Sequence, residues 1–197
     1  MRIALPNSDQ EITRIGGDLH HLSKIIMGSG VNVNLCLHCR SCSGGCPFTE
    51  AMDLLPNHVL RLVQLNMEEE ALQCSTIWVC VACNTCSIQC PMGIDIPAMM
   101  DSLRHLALEK QQPIAEPDVL SFHQEVLKSI EKYGRTHKVE IMLRFKLKTR
   151  NYFKDLQAGM RLLARRKLDL RPSKVKNAAE IKNIFNDKRK AYNNAQK

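Results

Sequence analysis

The chain writes one cysteine pattern twice. Residues 36–47 read Cys36-Leu37-His38-Cys39-Arg40-Ser41-Cys42-Ser43-Gly44-Gly45-Cys46-Pro47. Residues 80–91 read Cys80-Val81-Ala82-Cys83-Asn84-Thr85-Cys86-Ser87-Ile88-Gln89-Cys90-Pro91. Both are C-x2-C-x2-C-x3-C-P, and together they hold eight of the nine cysteines. Three thiols two residues apart can line the inside of one curled loop. The fourth lies beyond a turn and points elsewhere, and the proline after it stops the chain from continuing regularly. Disulfides do not explain the pattern. The cysteine count is odd, and Met1 to Glu11 carries acid and polar groups where a secretory signal needs an apolar stretch.

This spacing is the signature of two [4Fe–4S] clusters, in which the fourth cysteine of each run ligates the other cluster. The expected ligand sets are therefore Cys36, Cys39, Cys42 and Cys90 for one cubane, and Cys80, Cys83, Cys86 and Cys46 for the other. Structural zinc is the competing reading. It usually joins two C-x2-C knuckles across a long gap, whereas here a third cysteine crowds each knuckle. A redox dithiol would use two cysteines near a βαβ pattern. Cys74 is left over and reads as a small buried core residue, with a substitute ligand or reactive thiol as the alternatives. His38 reads as a solvated loop residue or one tuning a cluster by hydrogen bonding. Trp78 reads as packing that keeps water from a cluster. Met92, Met99 and Met100 read as helix-core or gap-filling residues. No catalytic residue is expected, because no convincing triad or metal-hydrolase motif appears.

Charge divides the chain as sharply as cysteine does. Residues 1–100 hold 5 Lys+Arg and 9 Asp+Glu, whereas residues 101–197 hold 23 and 11. The whole chain is formally +8. Two clusters of about −2 each would deepen the acidity of the first half. The basic half then reads as a solvated face, a cover for its own acidic half, or a docking surface for an acidic partner. Attraction to phosphate follows from charge alone, but regular aromatic interleaving is missing and nucleic acid is not an expected partner. No apolar run approaches the roughly 18 residues of a membrane helix, so no membrane span and a cytoplasmic location are expected.

Periodicity predicts a mainly α fold. Asn7 to Met27 reads as a helix opened by the capping box Ser8 to Glu11 and ended by Gly28-Ser29-Gly30. Leu54 to Met67 reads as a helix whose apolar side is Val59, Leu60, Leu62, Val63 and Leu65, and Glu68 to Gln73 as a shorter one. Asp95-Ile96-Pro97 reads as an N-cap with proline in the first turn, opening a helix to about Lys110. Gln111 to Pro117 reads as a linker. Pro117 to Tyr133 reads as a helix stopped by Gly134. Residues 138–150 are ambiguous, since Leu143, Phe145 and Leu147 alternate with basic residues as in a short strand. Asn151 to Lys167 and Asn177 to Tyr192 read as helices. The expected organisation is an N-terminal helical segment over 1–30, a cluster domain over 31–112, and a basic helical extension for partner docking over 113–197.

The 33 residues between Cys46 and Cys80 read as helix. This resembles the α-helical ferredoxin module rather than the small β-rich bacterial ferredoxin. Among carriers of that module, the iron–sulfur subunits of succinate dehydrogenases have in addition a [2Fe–2S] domain with C-x4-C-x2-C. None is expected here, because the 35 residues before Cys36 contain no cysteine. Anaerobic glycerol-phosphate dehydrogenase adds CCG domains, also unexpected with no cysteine after Cys90. The chain resembles the C-type subunit of heterodisulfide reductase over roughly residues 30–186. The resemblance is carried by the first cysteine loop, Leu55-Pro56-Asn57 and Trp78-Val79-Cys80. In the tail it is carried by Arg144 to Lys148, Leu168-Asp169-Leu170, Pro172 to Lys176, and Glu180 to Phe185. It implies an electron-transfer subunit, non-catalytic alone. Such a subunit lies between two partners in the heterodisulfide reductase complex. One partner carries flavin and iron–sulfur centres. The other carries CCG domains and reduces a disulfide, of the coenzyme M–coenzyme B type in methanogens. An alternative is a subunit feeding a membrane quinone oxidoreductase or a sulfur-oxidation complex.

Overall fold

The computed structural model of the chain describes residues 21–149, 161 and 174–195. Most of the expected helix Asn7 to Met27, and almost all of Asn151 to Lys167, lie outside them. The chain forms two compact units that divide between Glu116 and Pro117. Among the described residues the fold is helical, with no strand. No helix there is long and apolar enough to cross a membrane.

The first unit repeats one order of elements. A short turn of helix leads into a cysteine loop, a second short helix follows, and a longer helix with proline in its first turn closes the copy. After α1 (His21–Gly28), the first copy comprises the 3-10 turn Val33–Leu35, α2 (Ser41–Gly44) and α3 (Pro56–Gln64). The second follows α4 (Glu68–Gln73) and comprises α5 (Thr76–Val79), α6 (Thr85–Gln89) and α7 (Ile96–Glu109). The core between them is apolar. Leu22 and Ile26 of α1, Val59, Leu60 and Val63 of α3, and Met99, Met100 and Leu103 of α7 are all fully buried. Each set follows the three- and four-residue spacing that makes one helical stripe.

Caps fix where these helices begin and end. Asp95 opens α7 by accepting the Ala98 N–H at 3.1 Å, as the sequence predicts. Helix α3 stops at Gln64, short of the expected Met67, because Asn66 turns left-handed (φ 58°). There the Met67 N–H reaches back to the Leu62 carbonyl at 2.9 Å, an arrangement that satisfies the carbonyls of a last helical turn. Leu65, expected on the apolar side, is consequently half exposed. Asn66 also accepts the Leu22 N–H at 2.8 Å, which ties the first turn of α1 to the end of α3.

The second unit places α8 (Pro117–Tyr133) against α9 (Lys138–Thr149) and α10 (Ala178–Ala195). Gly134 ends α8 at φ 76°. A Cβ there would lie 3.0 Å from side chains of Val175 and Ile181, so glycine is required by conformation and by space. Residues 138–149 are helical, which removes the strand reading. On a helix Ile141 and Phe145 stand four apart on one face. Ile141 is buried, and Phe145 meets Phe122 edge-to-face at 5.7 Å. Leu143 and Leu147 stay exposed. The interior of this unit is partly polar. Buried Glu125 accepts from Lys128 at 2.7 Å, and buried Ser129 accepts the His137 N–H at 2.8 Å.

In the first unit one carboxylate joins the two copies. Asp53 accepts the N–H groups of Leu54 (2.7 Å), Ser75 (2.7 Å) and Thr76 (3.1 Å), and the Thr76 hydroxyl (2.9 Å). Partial burial raises its pKa, but the hydrogen bonds from Ser75, Thr76 and Leu54 outweigh this and hold it below the usual carboxylate value. A pKa depressed by folding gives stability that is complete above the unfolded value. That stability is lost as pH falls through the folded value. Asp53→Ala should cost about 1–2 kcal/mol at neutral pH, the range for a lost cap. In chemical denaturation the gap between wild type and variant should hold at pH 6–7 and shrink below about pH 4.

Candidate metal centre

Both cysteine loops follow one backbone path. The residues after the first intervening position, His38 and Ala82, have φ 53°, and Arg40 and Asn84 have φ 63° and 62°. Left-handed conformations cost about 1–2 kcal/mol each for residues with a Cβ. Four such positions in matching places are therefore a constraint and not an accident of packing. The curl turns the loop inward upon its sulfurs. The His38 N–H donates to Cys36 Sγ at 3.4 Å. Ser41 and Thr85 place hydroxyls 3.3 and 3.4 Å from the sulfurs of Cys39 and Cys83.

Thiol environments pair off in the same way. The Ser41 and Thr85 hydroxyls hold the exposed Cys39 and Cys83 below the ordinary thiol pKa. Burial pushes Cys42 up, and pushes Cys86 up to about 11. Each loop thus presents one sulfur at the surface and one in the interior. Short helices α2 and α6 pack against each other. Gly45 permits their approach, since a Cβ there would run into the Gln89 side chain. The trailing cysteines, Cys46 and Cys90, follow directly from these two helices.

The result is two recesses of similar size. One is lined by Cys80, Cys83 and Cys86 from the second loop and by Cys46 from the first. Phe48, Met52 and Met100 supply apolar walls. The other is lined by Cys36, Cys39 and Cys42 with Cys90. Leu60, Ile94 and Met92 stand around it. Buried Ile96 lines both. Among the described residues no three His, Cys, Asp or Glu side chains converge on a single metal ion. The thiols surround volumes. Four soft sulfurs around a mostly apolar recess fit the donor set of an iron–sulfur cluster.

A 4Fe–4S dicluster domain model matches residues 35–95. The C-type subunit of the ferredoxin:CoB-CoM heterodisulfide reductase of Methanosarcina mazei is 34% identical over 89 residues, 45% of this chain and 55% of that protein. The iron–sulfur C-type subunit of the CoB–CoM heterodisulfide reductase of Methanopyrus kandleri is 30% identical over 80 residues, 41% of this chain and 42% of that protein. The cluster-bearing part of the chain is similar to the iron–sulfur C-type subunits of heterodisulfide reductases. It carries two [4Fe–4S] clusters. The chain spans about half the length of the curated relatives it matches.

Other residues singled out by sequence fall into place around the recesses. His38 faces Gln64 Oε1 at 2.8 Å. Trp78 is buried. Met99 and Met100 are core, whereas Met92 is half exposed at the rim of the second recess. Sequence reasoning named Asn57 only as part of the resemblance and missed its role: it is buried and engages Ser43 twice. Its Oδ1 accepts the Ser43 hydroxyl at 2.6 Å, and its N–H donates back to that oxygen at 3.2 Å. It also missed the hydroxyls of Ser41 and Thr85, although their matching place before the third cysteine was visible in both runs.

Cys74 lines neither recess. Its buried thiol donates to the Ala71 carbonyl at 3.3 Å, and burial pushes its pKa up to about 11. Cys74→Ala should therefore leave iron and sulfide per chain unchanged while lowering the melting temperature. Elemental analysis beside a thermal melt checks both outcomes.

Proposed function

We propose that the chain is the electron-transfer subunit of a heterodisulfide-reductase-like complex. Single electrons pass through its two clusters between a partner that carries flavin and iron–sulfur centres and a CCG-domain partner that reduces a disulfide. The observation that carries the reading is the make-up of the two recesses, each with three cysteines of one run and the fourth of the other. The proposed ligand sets follow it: Cys36, Cys39, Cys42 and Cys90 for one cluster, and Cys80, Cys83, Cys86 and Cys46 for the other.

When bound, such clusters take up and release one electron at a time. The chain supplies the rest. Ile96 forms a shared wall that keeps the two sites adjacent and dry. Phe48, Met52 and Met100 on one side, and Leu60 and Ile94 on the other, limit water near the sulfurs. Exposed Cys39 and Cys83 bring each site to the surface, beside exposed Leu37 and Val81. A partner can therefore approach either loop without unfolding of the core. We assign cofactor binding to residues 31–112 and partner docking to the basic residues 113–197. The relatives' printed names describe CoB–CoM heterodisulfide reductases, which supports a disulfide as terminal acceptor in the same kind of complex.

The crossed ligand set and the complex are tested together. Anaerobically prepared wild type should contain about eight iron and eight sulfide per chain on this ligand count. It should copurify with a CCG-domain protein. Cys46→Ser should alter the electron paramagnetic resonance signal that is also altered by Cys83→Ser, and leave the one altered by Cys39→Ser. The reverse pattern would overturn the crossing, and a cytochrome or membrane-anchor partner in place of the CCG-domain protein would overturn the assembly.

A further inference from the structure

Arg104 lies on α7 and reaches the second cysteine loop. Its Nη1 donates to the Cys80 carbonyl at 3.3 Å. Its side chain is 14% exposed, and Nη2 stands 3.4 Å from Asp101, whose side chain is 61% exposed. Its Nε is buried without a hydrogen-bond partner. A guanidinium carries its charge wherever it is placed, since it does not deprotonate in proteins. Thus a fixed, largely buried cation sits against the backbone of a proposed ligand cysteine, beside the solvated carboxylate of Asp101.

The two recesses differ in this respect. Apart from thiols, the side chains lining the Cys80 recess carry no charge. The Cys36 recess has Arg40 and His38 in its wall. Arg61 stands nearby, with its Nη1 3.4 Å from His38. Arg40 and Arg61 are both exposed, so water and salt screen them. Arg104 is screened far less. At an effective dielectric of about 20 its field remains worth more than a factor of ten at about 10 Å.

We propose that Arg104 is a positioning residue for electrons: its charge raises the reduction potential of the cluster in the Cys80 recess more than that of the other cluster. Adding one electron to that site adds one negative charge. The guanidinium stabilises this charge directly, with no proton or other co-reactant. The inference rests on the two-cluster reading, but not on which cluster Cys46 serves.

The test is a potentiometric titration of the intact anaerobic protein with a one-electron reductant, followed by electron paramagnetic resonance. Cys83→Ser identifies the cluster of the second loop whatever the fourth ligand is. Arg104→Gln should make that cluster about tenfold harder to reduce, which is about 59 mV for one electron. The other cluster, on the loop that Arg104 does not reach, should move by clearly less. Arg104→Lys, which keeps the charge, should stay near wild type. Arg104→Met, which keeps the apolar stem without the charge, should shift the same cluster in the same direction as Arg104→Gln and serves as the deciding variant if Arg104→Gln loses iron. The proposal is overturned if Arg104→Gln moves neither cluster or both alike, or if Arg104→Lys falls as far as Arg104→Gln. With Arg104→Gln unstable, an unmoved Arg104→Met overturns it. The Cys46→Ser result stands apart from all of these, so failure of the crossed ligation cannot be mistaken for failure of this inference.

Discussion

The pairing of α2 with α6 is the constraint on which the first unit depends. Each helix is only one or two turns long, too short to be stable alone. Each is followed within two residues by a cysteine that lines the recess of the other copy's loop. Neither recess is complete within one copy, so the docking of the two helices and the assembly of the sites are one event. Gly45 makes the approach possible by giving Gln89 room against bare backbone. The same event buries Cys42 and Cys86, whose thiols resist ionisation there. In the proposed ligand sets both bind iron as thiolates, so cofactor binding would release those protons and couple to the folding of this unit.

The apolar core is arranged around that requirement. Ile96 is the first residue of α7 and stands between the recesses, while Asp95 immediately before it caps the helix. A shift of one residue in this helix start would move the shared wall and the cap together. On the other side, Asn57 in the first turn of α3 is locked to Ser43 of α2 by two hydrogen bonds. The first turns of both long helices are therefore fixed against the cysteine loops, and the buried stripes of α3 and α7 carry that position into the core. Asp53 completes the frame, because its carboxylate joins the approach to α3 with the start of α5.

Much of this was legible in the sequence where a local signal and the tertiary structure agree. The cysteine runs, the Asp95-Ile96-Pro97 start, and the Pro117 to Tyr133 helix with its Gly134 stop all belong to that class. The failures have a common cause. Alternation of Leu143, Phe145 and Leu147 fits a strand until Phe122 and the α8 surface choose Ile141 and Phe145 as the inner pair. Asn66 ends α3 early because its side chain serves Leu22, a residue 44 positions away. The roles of Asn57 and Arg104 are invisible for the same reason. Each is defined by a partner in another element, Ser43 and Cys80 respectively, and no local pattern marks such pairs. The expected helix over 7–27 was only partly open to comparison, since its first fourteen residues lie outside those described.

The two copies agree in backbone and disagree in side chains, and this difference bears on function. The unusual conformations recur at His38 and Ala82, and again at Arg40 and Asn84. Alanine and arginine gain nothing from the left-handed region, which asparagine, aspartate and histidine tolerate best. The conformation must therefore be demanded by what the loop encloses, since residue preference alone would not hold it. Side chains pointing away from the sulfurs are free of that demand, and there the copies diverge. The first loop shows Arg40, with His38 tied to Gln64. The second shows Val81, Asn84 and the highly exposed Ile88. One mouth is cationic and the other is neutral and apolar. Repeating the backbone keeps both sites suited to the same cofactor, while the side chains at the rim make the two mouths chemically distinct.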